Sequence, residues 1–359
     1  MRDKKVTLKD VAEASGCSVG AVSVVLNNRP STIRVSPKTR EQIQAVAKKI
    51  GYVPNYHAQS LHLKNSFTLG LVLGEEAHRR LANGFWAKYV AGVDNACRQR
   101  GYDLLFVGPN REMGELDRAI LLARQSRVDA LIVIGGTYGA SERKPLEELE
   151  FPVVYLQEPL PTRHPSVVLD EVPATRGALH LLKQNGHREL AYVTAEPKTG
   201  ELRNRRLRLI RELCPQVGLG LREVHLDTSL LYSNQDTLEA MIQGCHHYLR
   251  GWLQKNKPPT AMAFFSDLIA LGGMGALQNA GFKVPEQVSI FSFDDIRAVL
   301  AVPPLSVVSL ELVGMGEQAV EMALRMAEAS YEIEALRGHR RTILAKFVNR
   351  ESIGPAPGA

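Results

Sequence analysis

The chain has 359 residues, 45% of them hydrophobic and 23% charged, an ordinary soluble globular composition with room for more than one domain. No run reaches the roughly 18 apolar residues that a bilayer span needs, and the start "MRDKKVTLKD" has no apolar export segment, so a cytoplasmic chain without membrane contact is expected. Its four cysteines, Cys17, Cys97, Cys214 and Cys245, are far apart with no C-x-x-C pair, which excludes a disulfide framework and a zinc site.

The first 66 residues carry eleven Lys and Arg against four Asp and Glu, a surplus of seven, while the whole chain is only +6. A basic head on a near-neutral body is either the footprint of a polyanion-binding module or a solvated basic surface. Residues 7–52 read as three short helices. Thr7 caps the first with Asp10 three residues on, Gly16-Cys17 breaks it, and Ser18 caps a second whose Val22, Val25 and Leu26 share a face. Ser36-Pro37 starts a third, with Ile43, Val46, Ala47 and Ile50 at helical spacing and Gly51 past its end. Three helices joined by a tight turn make a helix-turn-helix domain.

Beyond Pro54 the pattern changes. Residues 55–62 are short and polar, with Leu61 the single large apolar residue. Strand-like apolar runs then follow at 67–74, 102–108, 129–136, 152–157, 166–170, 189–194, 223–227, 261–265, 288–294 and 306–312. Helical segments such as 86–99, 115–125, 172–185 and 268–279 lie between them. This alternation predicts parallel sheets with helices on both faces, in two lobes. Ligands of such sheets bind beyond the carboxyl ends of the strands, here near Gly74, Gly108, Gly135, Asp170 and Asp294. Catalytic readings find no support: "GGMG" (272–275) sits in a helical pattern and is no P-loop, and "CHH" (245–247) places neighbours that do not face one way. No nucleophile-base-acid order is visible, and neither an enzyme, a cofactor nor a metal is expected.

The order of parts resembles the lactose-repressor (LacI/GalR) family of bacterial transcription regulators. "VTLKDVAEASGCSVGAVSVVLN" is similar to its helix-turn-helix, "SPKTREQIQAVAKKIGYVPN" to its third helix and junction, and "AQSL" (58–61) to its hinge helix. "VDALIV", "NGHRELAYVT", "ALQNAGFKVPEQVSIFSFDD" and "PPLSVVSLELVGMGEQAV" follow in register. The resemblance implies a small all-α helix-turn-helix head plus an α/β sensor of two parallel-sheet lobes, periplasmic-binding-protein-like, type I. The expected boundaries are 1–53 for the head, 54–66 for the hinge helix, and 67–359 for the effector-binding and dimerisation domain. Within the last, the N-lobe is set at about 67–185 and 309–340, and the C-lobe at about 186–308 and 341–359.

For the head, the resemblance places residues 18–26 in a major groove, with base edges meeting Val19, Gly20 and Val24. No Arg, Gln or Asn stands there, so exposed valines would touch thymine methyls and Gly20 would allow close approach. Thr7, Ser18, Ser23, Asn27 and Arg29 are the expected phosphate or base-edge partners, although Asn27 equally suits a turn, and Tyr52 and Asn55 complete the set. Leu61 aligns with the family's minor-groove wedge, which selects a deformable step without a hydrogen bond. The family's minor-groove Arg is Gln59 here, which removes a charge from the hinge.

For the sensor, Asp294 in "FDD" matches the acid that meets ligand hydroxyls, and Asp170 matches a second pocket acid whose neighbour, often Asn in the family, is Glu171. Phe85 and Trp86 stand where a pair of aromatics is common, either stacking on a ring or filling the core. In "LRNRRLRLIREL" the ligand-contacting Arg aligns best with Arg206, with Arg205 and Arg208 as other registers, and Ser266 replaces a ligand-binding Asn. The implied protein is a nucleoid-associated homodimeric regulator, a repressor of a near-palindromic double-stranded DNA operator, controlled by a sugar or sugar derivative. The competing readings are a sugar-binding receptor without a DNA role, a regulator of nucleobase or other non-sugar response, and a sugar-modifying enzyme.

Overall fold

The computed structural model describes residues 6–26, 33–54, 60, 63, 65–73, 81, 84–134, 138–157, 162–195, 201–227, 238–329 and 331–358. The chain divides into two compact units, Met1–Phe67 and Thr68–Ala359.

In the first unit, helix α1 (Leu8–Ser15) starts from a reciprocal cap: Thr7 Oγ1 accepts from Asp10 N at 3.4 Å and Asp10 Oδ2 accepts from Thr7 N at 2.7 Å. Gly16, left-handed at φ 66°, ends it, a conformation that costs glycine little. Ser18 Oγ accepts from Ala21 N at 3.2 Å and opens α2 (Val19–Leu26). Ser36 Oγ accepts from Thr39 N at 3.1 Å and opens α3 (Pro37–Lys49), with Pro37 in the first turn, where its missing N–H is harmless. Val11, Ala12, Val22, Val25, Ile43 and Ala47 form the core, and Gln42 Nε2 donates to Ser15 O at 2.9 Å, binding α3 to the end of α1.

The second unit holds two six-stranded sheets. The first contains β1 (Thr68–Val72), β2 (Asp103–Val107), β3 (Ala130–Ile134), β4 (Val153–Leu156), β5 (Ser166–Asp170) and β11 (Arg340–Leu344), in the order β11-β5-β4-β3-β1-β2, all parallel. The second contains β6 (Glu189–Ala195), β7 (Gly220–Leu226), β8 (Ala261–Phe264), β9 (Ser289–Phe293), β10 (Ser306–Ser309) and β12 (Lys346–Val348), in the order β12-β10-β9-β8-β6-β7, with only β12 antiparallel. Helices α4 (Gly84–Gln99), α5 (Glu115–Arg124), α6 (Ala140–Glu147) and α11 (Leu312–Glu328) cover the first sheet. Helices α7 (Val172–Gln184), α8 (Glu201–Gln216) and α10 (Asp267–Asn279) cover the second, and α9 (Leu238–Leu253) packs against α10.

Glycine sets two of the helix contacts. A Cβ on Gly316 of α11 would stand 2.6 Å from Tyr89 O of α4, and one on Gly272 would strike Ile242 O of α9. The "GGMG" run is therefore where α10 packs closely against α9.

The lobes exchange chain three times, and the positions differ from those expected. The first crossover is at Glu171, between β5 and α7, not after residue 185, because the buried face of α7 (Ala174, Ala178, Leu179, Leu182) lies against β10 and β12 of the second sheet. The second is at 310–311, between β10 and α11, and the third at Ala345, because Arg340–Leu344 pairs with β5. Two crossovers touch directly through Ala345 N donating to Asp170 O at 2.9 Å, and Lys346 Nζ lies 2.7 Å from Glu311 Oε1 across the second and third.

Candidate functional site

Each unit presents one candidate surface. On the head, the N-terminal turn of α2 is the outward part: Ser18 and Gly20 are exposed and Val19 is 44% exposed. Val24 is half-buried. Ser23, expected to reach a phosphate or base edge, is buried at 7% exposed, so that expectation is corrected: its hydroxyl is withdrawn from the surface. Gly20 has an internal reason as well, since a Cβ there would come within 3.2 Å of Ile33 Cδ1. Thr7 is exposed but its hydroxyl is spent on Asp10 at 2.7 Å. Tyr52 packs half-buried on the head core, which raises its phenol pKa through desolvation. Lys9, Arg34, Lys38, Lys48 and Lys49 are exposed around these helices. Asn27, Arg29, Asn55, Gln59 and Leu61 lie outside the described residues.

In the second unit the carboxyl ends of β5, β8 and β9 converge on one arginine. Arg206, on α8 and 1% exposed, donates Nε to Glu171 Oε1 at 2.8 Å, Nη1 to Phe265 O at 2.7 Å and Nη2 to Asp294 Oδ1 at 2.8 Å. Its guanidinium lies 4.6 Å above the centre of the Phe293 ring, adding a cation–π contact. Arg205 donates Nη2 to Glu171 Oε2 at 2.8 Å, so one carboxylate bridges two arginines. Arg208 faces outward. Among the three registers left open by the sequence, Arg206 is the one turned inward.

Burial and charge compete throughout this cluster. Burial alone would raise the Glu171 carboxyl, but Arg206 and Arg205 outweigh it and hold the pKa below its ordinary value. For Asp294 burial wins over the attraction of Arg206, and the carboxyl is pushed up to about 6. Burial works against the Arg206 charge, yet Asp294 and Glu171 hold its pKa above the usual value. Asp294 occupies the left-handed region at φ 71°, which aspartate tolerates, and its N–H donates to Val308 O at 3.1 Å.

The other expected sensor residues fall into different positions. Asp170 Oδ1 accepts from Val172 N at 2.8 Å and closes the turn into α7; its neighbour Glu171 makes the ion pairs. Ser266 is the N-cap of α10, its Oγ accepting from Ile269 N at 3.4 Å. Phe85 and Trp86 begin α4 and meet edge to face at 5.2 Å and 80°, with Tyr89 as a third ring 5.6 Å from Phe85. Phe85 is 8% exposed and Trp86 half-buried. Tyr89 is fully buried, and its hydroxyl accepts from Gln157 Nε2 at 2.7 Å. Desolvation raises the Tyr89 phenol well above its ordinary pKa, and Glu171 and Asp294 raise it further.

Sequence reasoning noted Glu171 only as a departure and missed Tyr89, Gln157 and Asp267. Tyr89 had a signal, standing three and four residues beyond the aromatic pair, where side chains share a helix face. Asp267 Oδ2 accepts from Ile296 N at 2.7 Å and Arg297 N at 2.5 Å, fixing the loop that follows Asp294. Burial raises its pKa. Across the lobes Lys88 Nζ donates to Asp295 O at 2.6 Å, and within the second lobe Arg350 Nη2 holds the Asp295 carboxylate at 2.7 Å. Among the described residues no group of three or more His, Cys, Asp or Glu is arranged to hold a metal. No helix among them is long and apolar enough to cross a membrane.

Residues 7–55 match the model for bacterial regulatory proteins of the lacI family, and residues 179–353 match a periplasmic binding protein-like domain. The HTH-type transcriptional regulator DegA of Bacillus subtilis (strain 168) is 28% identical over 319 residues, covering 88% of this chain and 89% of the relative. The crystal structure of the lac repressor dimer bound to operator and the anti-inducer ONPF shares the fold at a TM-score of 0.78 and 24% identity, covering 97% of this chain and 99% of that one. A structure of the transcriptional regulator CelR in complex with cellobiose aligns at a TM-score of 0.64 and 25% identity, covering 97% of this chain and 100% of that one.

Proposed function

The chain belongs to the LacI/GalR family of DNA-binding transcription regulators, and from that premise we propose that it is a homodimeric repressor of a near-palindromic operator, released or recruited by an uncharged carbohydrate bound at Asp294 between the sensor lobes. One observation carries the sensor half of this reading. Asp294, Arg206 and Glu171 form a continuous buried link from the end of β9 to the first crossover between the lobes. A hydroxyl that takes an Asp294 oxygen perturbs the same link that sets the crossover, so effector binding and lobe geometry share one set of bonds. The CelR relative, solved with cellobiose, supports a sugar as the class of ligand. The half-buried Trp86 ring also suits a nucleobase, and a panel of sugars and nucleobases separates the two.

On DNA, the exposed lysines and arginines of the head supply phosphate contacts, and affinity falls steeply with salt. Val19, Val24 and Gly20 supply the base contacts, and Leu61 wedges a central pyrimidine–purine step. A mobility shift on genomic fragments tests the whole: a retarded fragment carrying a palindrome is expected, with retardation altered by one member of a panel of sugars and nucleobases. No retarded fragment, with or without the panel, favours a sugar receptor instead. Indifference to the central step removes the Leu61 wedge. Thermal shift identifies the effector independently, and the response is expected to vanish in Asp294→Ala.

A further inference from the structure

We infer that Glu171 is a resident acid that occupies Arg205 and Arg206 and so restricts the sensor to uncharged or cationic effectors, turning away phosphorylated and carboxylated ones. The inference deepens the reading of this cluster as the effector site and rests on it.

An arginine in a binding cleft ordinarily invites an anion, because its planar fork matches a carboxylate or phosphate. Arg206 is already engaged through three of its five N–H groups. Each of its three nitrogens donates inside the protein, to Glu171, to the Phe265 carbonyl and to Asp294, and its side chain is 2% exposed. Both oxygens of Glu171 are taken as well, one by each arginine, and its side chain is 1% exposed. Two guanidiniums face two carboxylates, so the described cluster has no net positive charge with which to draw an acid.

Glu171 is also unable to withdraw. It is the crossover residue between β5 and α7, held on one side by Asp170 Oδ1 accepting from Val172 N at 2.8 Å and on the other by helix α7 itself. An entering anion would have to displace a carboxylate whose position the chain fixes, leaving that carboxylate buried and unpaired beside Asp294, an arrangement that low-dielectric surroundings penalise heavily. A sugar hydroxyl or an ammonium meets no such obstacle. It donates to Asp294, whose side chain retains 10% exposure and whose carboxylate accepts more than the one bond given by Arg206. Arg205, with 29% of its side chain exposed, becomes an anion site only if Glu171 is neutralised.

The test uses the full-length protein and the isostere Glu171→Gln, which keeps the shape and removes the charge. Thermal shift and calorimetry are run with sulfate and inorganic phosphate, and with glucose, glucosamine, glucose 6-phosphate and glucuronate as a matched series. The wild type is expected to show no saturable stabilisation by the anions or the acidic sugars. Glu171→Gln is expected to bind sulfate and phosphate roughly tenfold or more tightly than the wild type, a change of about 1.4 kcal/mol or more, and to lose that gain when Arg205→Ala is added. Saturable binding of glucose 6-phosphate or glucuronate by the wild type overturns the inference, as does a folded Glu171→Gln that gains no anion affinity. Should Glu171→Gln not fold in dilute buffer, refolding with added formate or sulfate decides: rescue by the anion supports the inference, and no rescue overturns it. Failure of the effector-site reading shows separately, as a wild type that responds to no sugar or nucleobase while the anion arm of the variant still reads out.

Discussion

The two candidate surfaces handle polarity in opposite ways. Helix α2 of the head turns a bare valine and a glycine outward, where polar groups would be welcome. The sensor buries an arginine between two acids, where polar groups are costly. Each is the reverse of what burial alone favours, and each makes sense as recognition. A methyl on an exposed helix gains from another methyl without disturbing the fold beneath it. A buried charge recognises only what its partners leave open, and it is bound up with the packing of the lobe around it. Sensor variants should therefore change stability and recognition together, whereas variants on the exposed turn of α2 should change recognition alone.

The largest expected effect tests the coupled half of that contrast. Arg206→Ala leaves Glu171 and Asp294 buried without their common partner, and losing one member of a buried pair costs about 3–5 kcal/mol. Urea unfolding of the intact chain should show the sensor transition displaced by that amount, with response to effector lost as well. A well-folded Arg206→Ala of unchanged midpoint would break the comparison, since the cluster would then be peripheral to the fold.

A smaller effect comes from protonation. The folded Asp294 pKa is about 6, above its ordinary 3.8, so the folded state takes up the proton first. Unfolding free energy from this group therefore rises as pH falls from 7 through 6, and on the order of 1 kcal/mol is gained by pH 5. Glu171 acts with the opposite sign: held low by two arginines, it contributes stability above its ordinary 4.5 that is lost as pH falls through its depressed folded value. The wild type minus Asp294→Asn difference in urea stability isolates the first term, and it should change between pH 7 and 5. A flat difference would mean that Asp294 is not desolvated. An ionised carboxylate is the stronger acceptor for an effector hydroxyl, so affinity should decline below pH 6 in parallel.

What could be read in the sequence followed the range of the interactions. The caps at Thr7, Ser18 and Ser36 span three residues, and the sequence contains all of their chemistry. Ten of the strands announced themselves as apolar runs, most plainly the central ones such as β3 and β9, which are buried along their whole length. Strand β11, "RRTIL", did not, since it is an edge strand with mostly exposed side chains and nothing apolar to repeat. The lobe assignment of α7 was not legible either, because an amphipathic helix carries no mark of which sheet it will cover. The bonds from Arg206 to Glu171 and Asp294 span 35 and 88 residues, and only the folded sheets bring their ends together. Residue types at strand ends pointed to the right neighbourhood, and the pairing within it came from topology.

The smallest effect tests the uncoupled half. Val19 is 44% exposed on the first turn of α2, outside the head core of Val11, Val22, Val25 and Ile43, so Val19→Ala should leave the melting of the head unchanged. If Val19 reads a thymine methyl, its contact is worth about 0.8 kcal/mol for each buried methylene-sized group. Replacing the contacted thymine by deoxyuridine removes only that methyl. The wild type should lose several-fold in operator affinity on the replacement, and Val19→Ala should lose little more, because the two deletions remove one contact. Additive losses would show that Val19 and the methyl do not touch, and the base contacts would then fall to Val24, where half-burial ties recognition back to the core. The salt dependence of binding should be the same in all four combinations, since neither change removes a charge. A changed salt slope would show that truncating Val19 had moved the phosphate contacts, and the head would then share the coupling of fold and recognition found in the sensor.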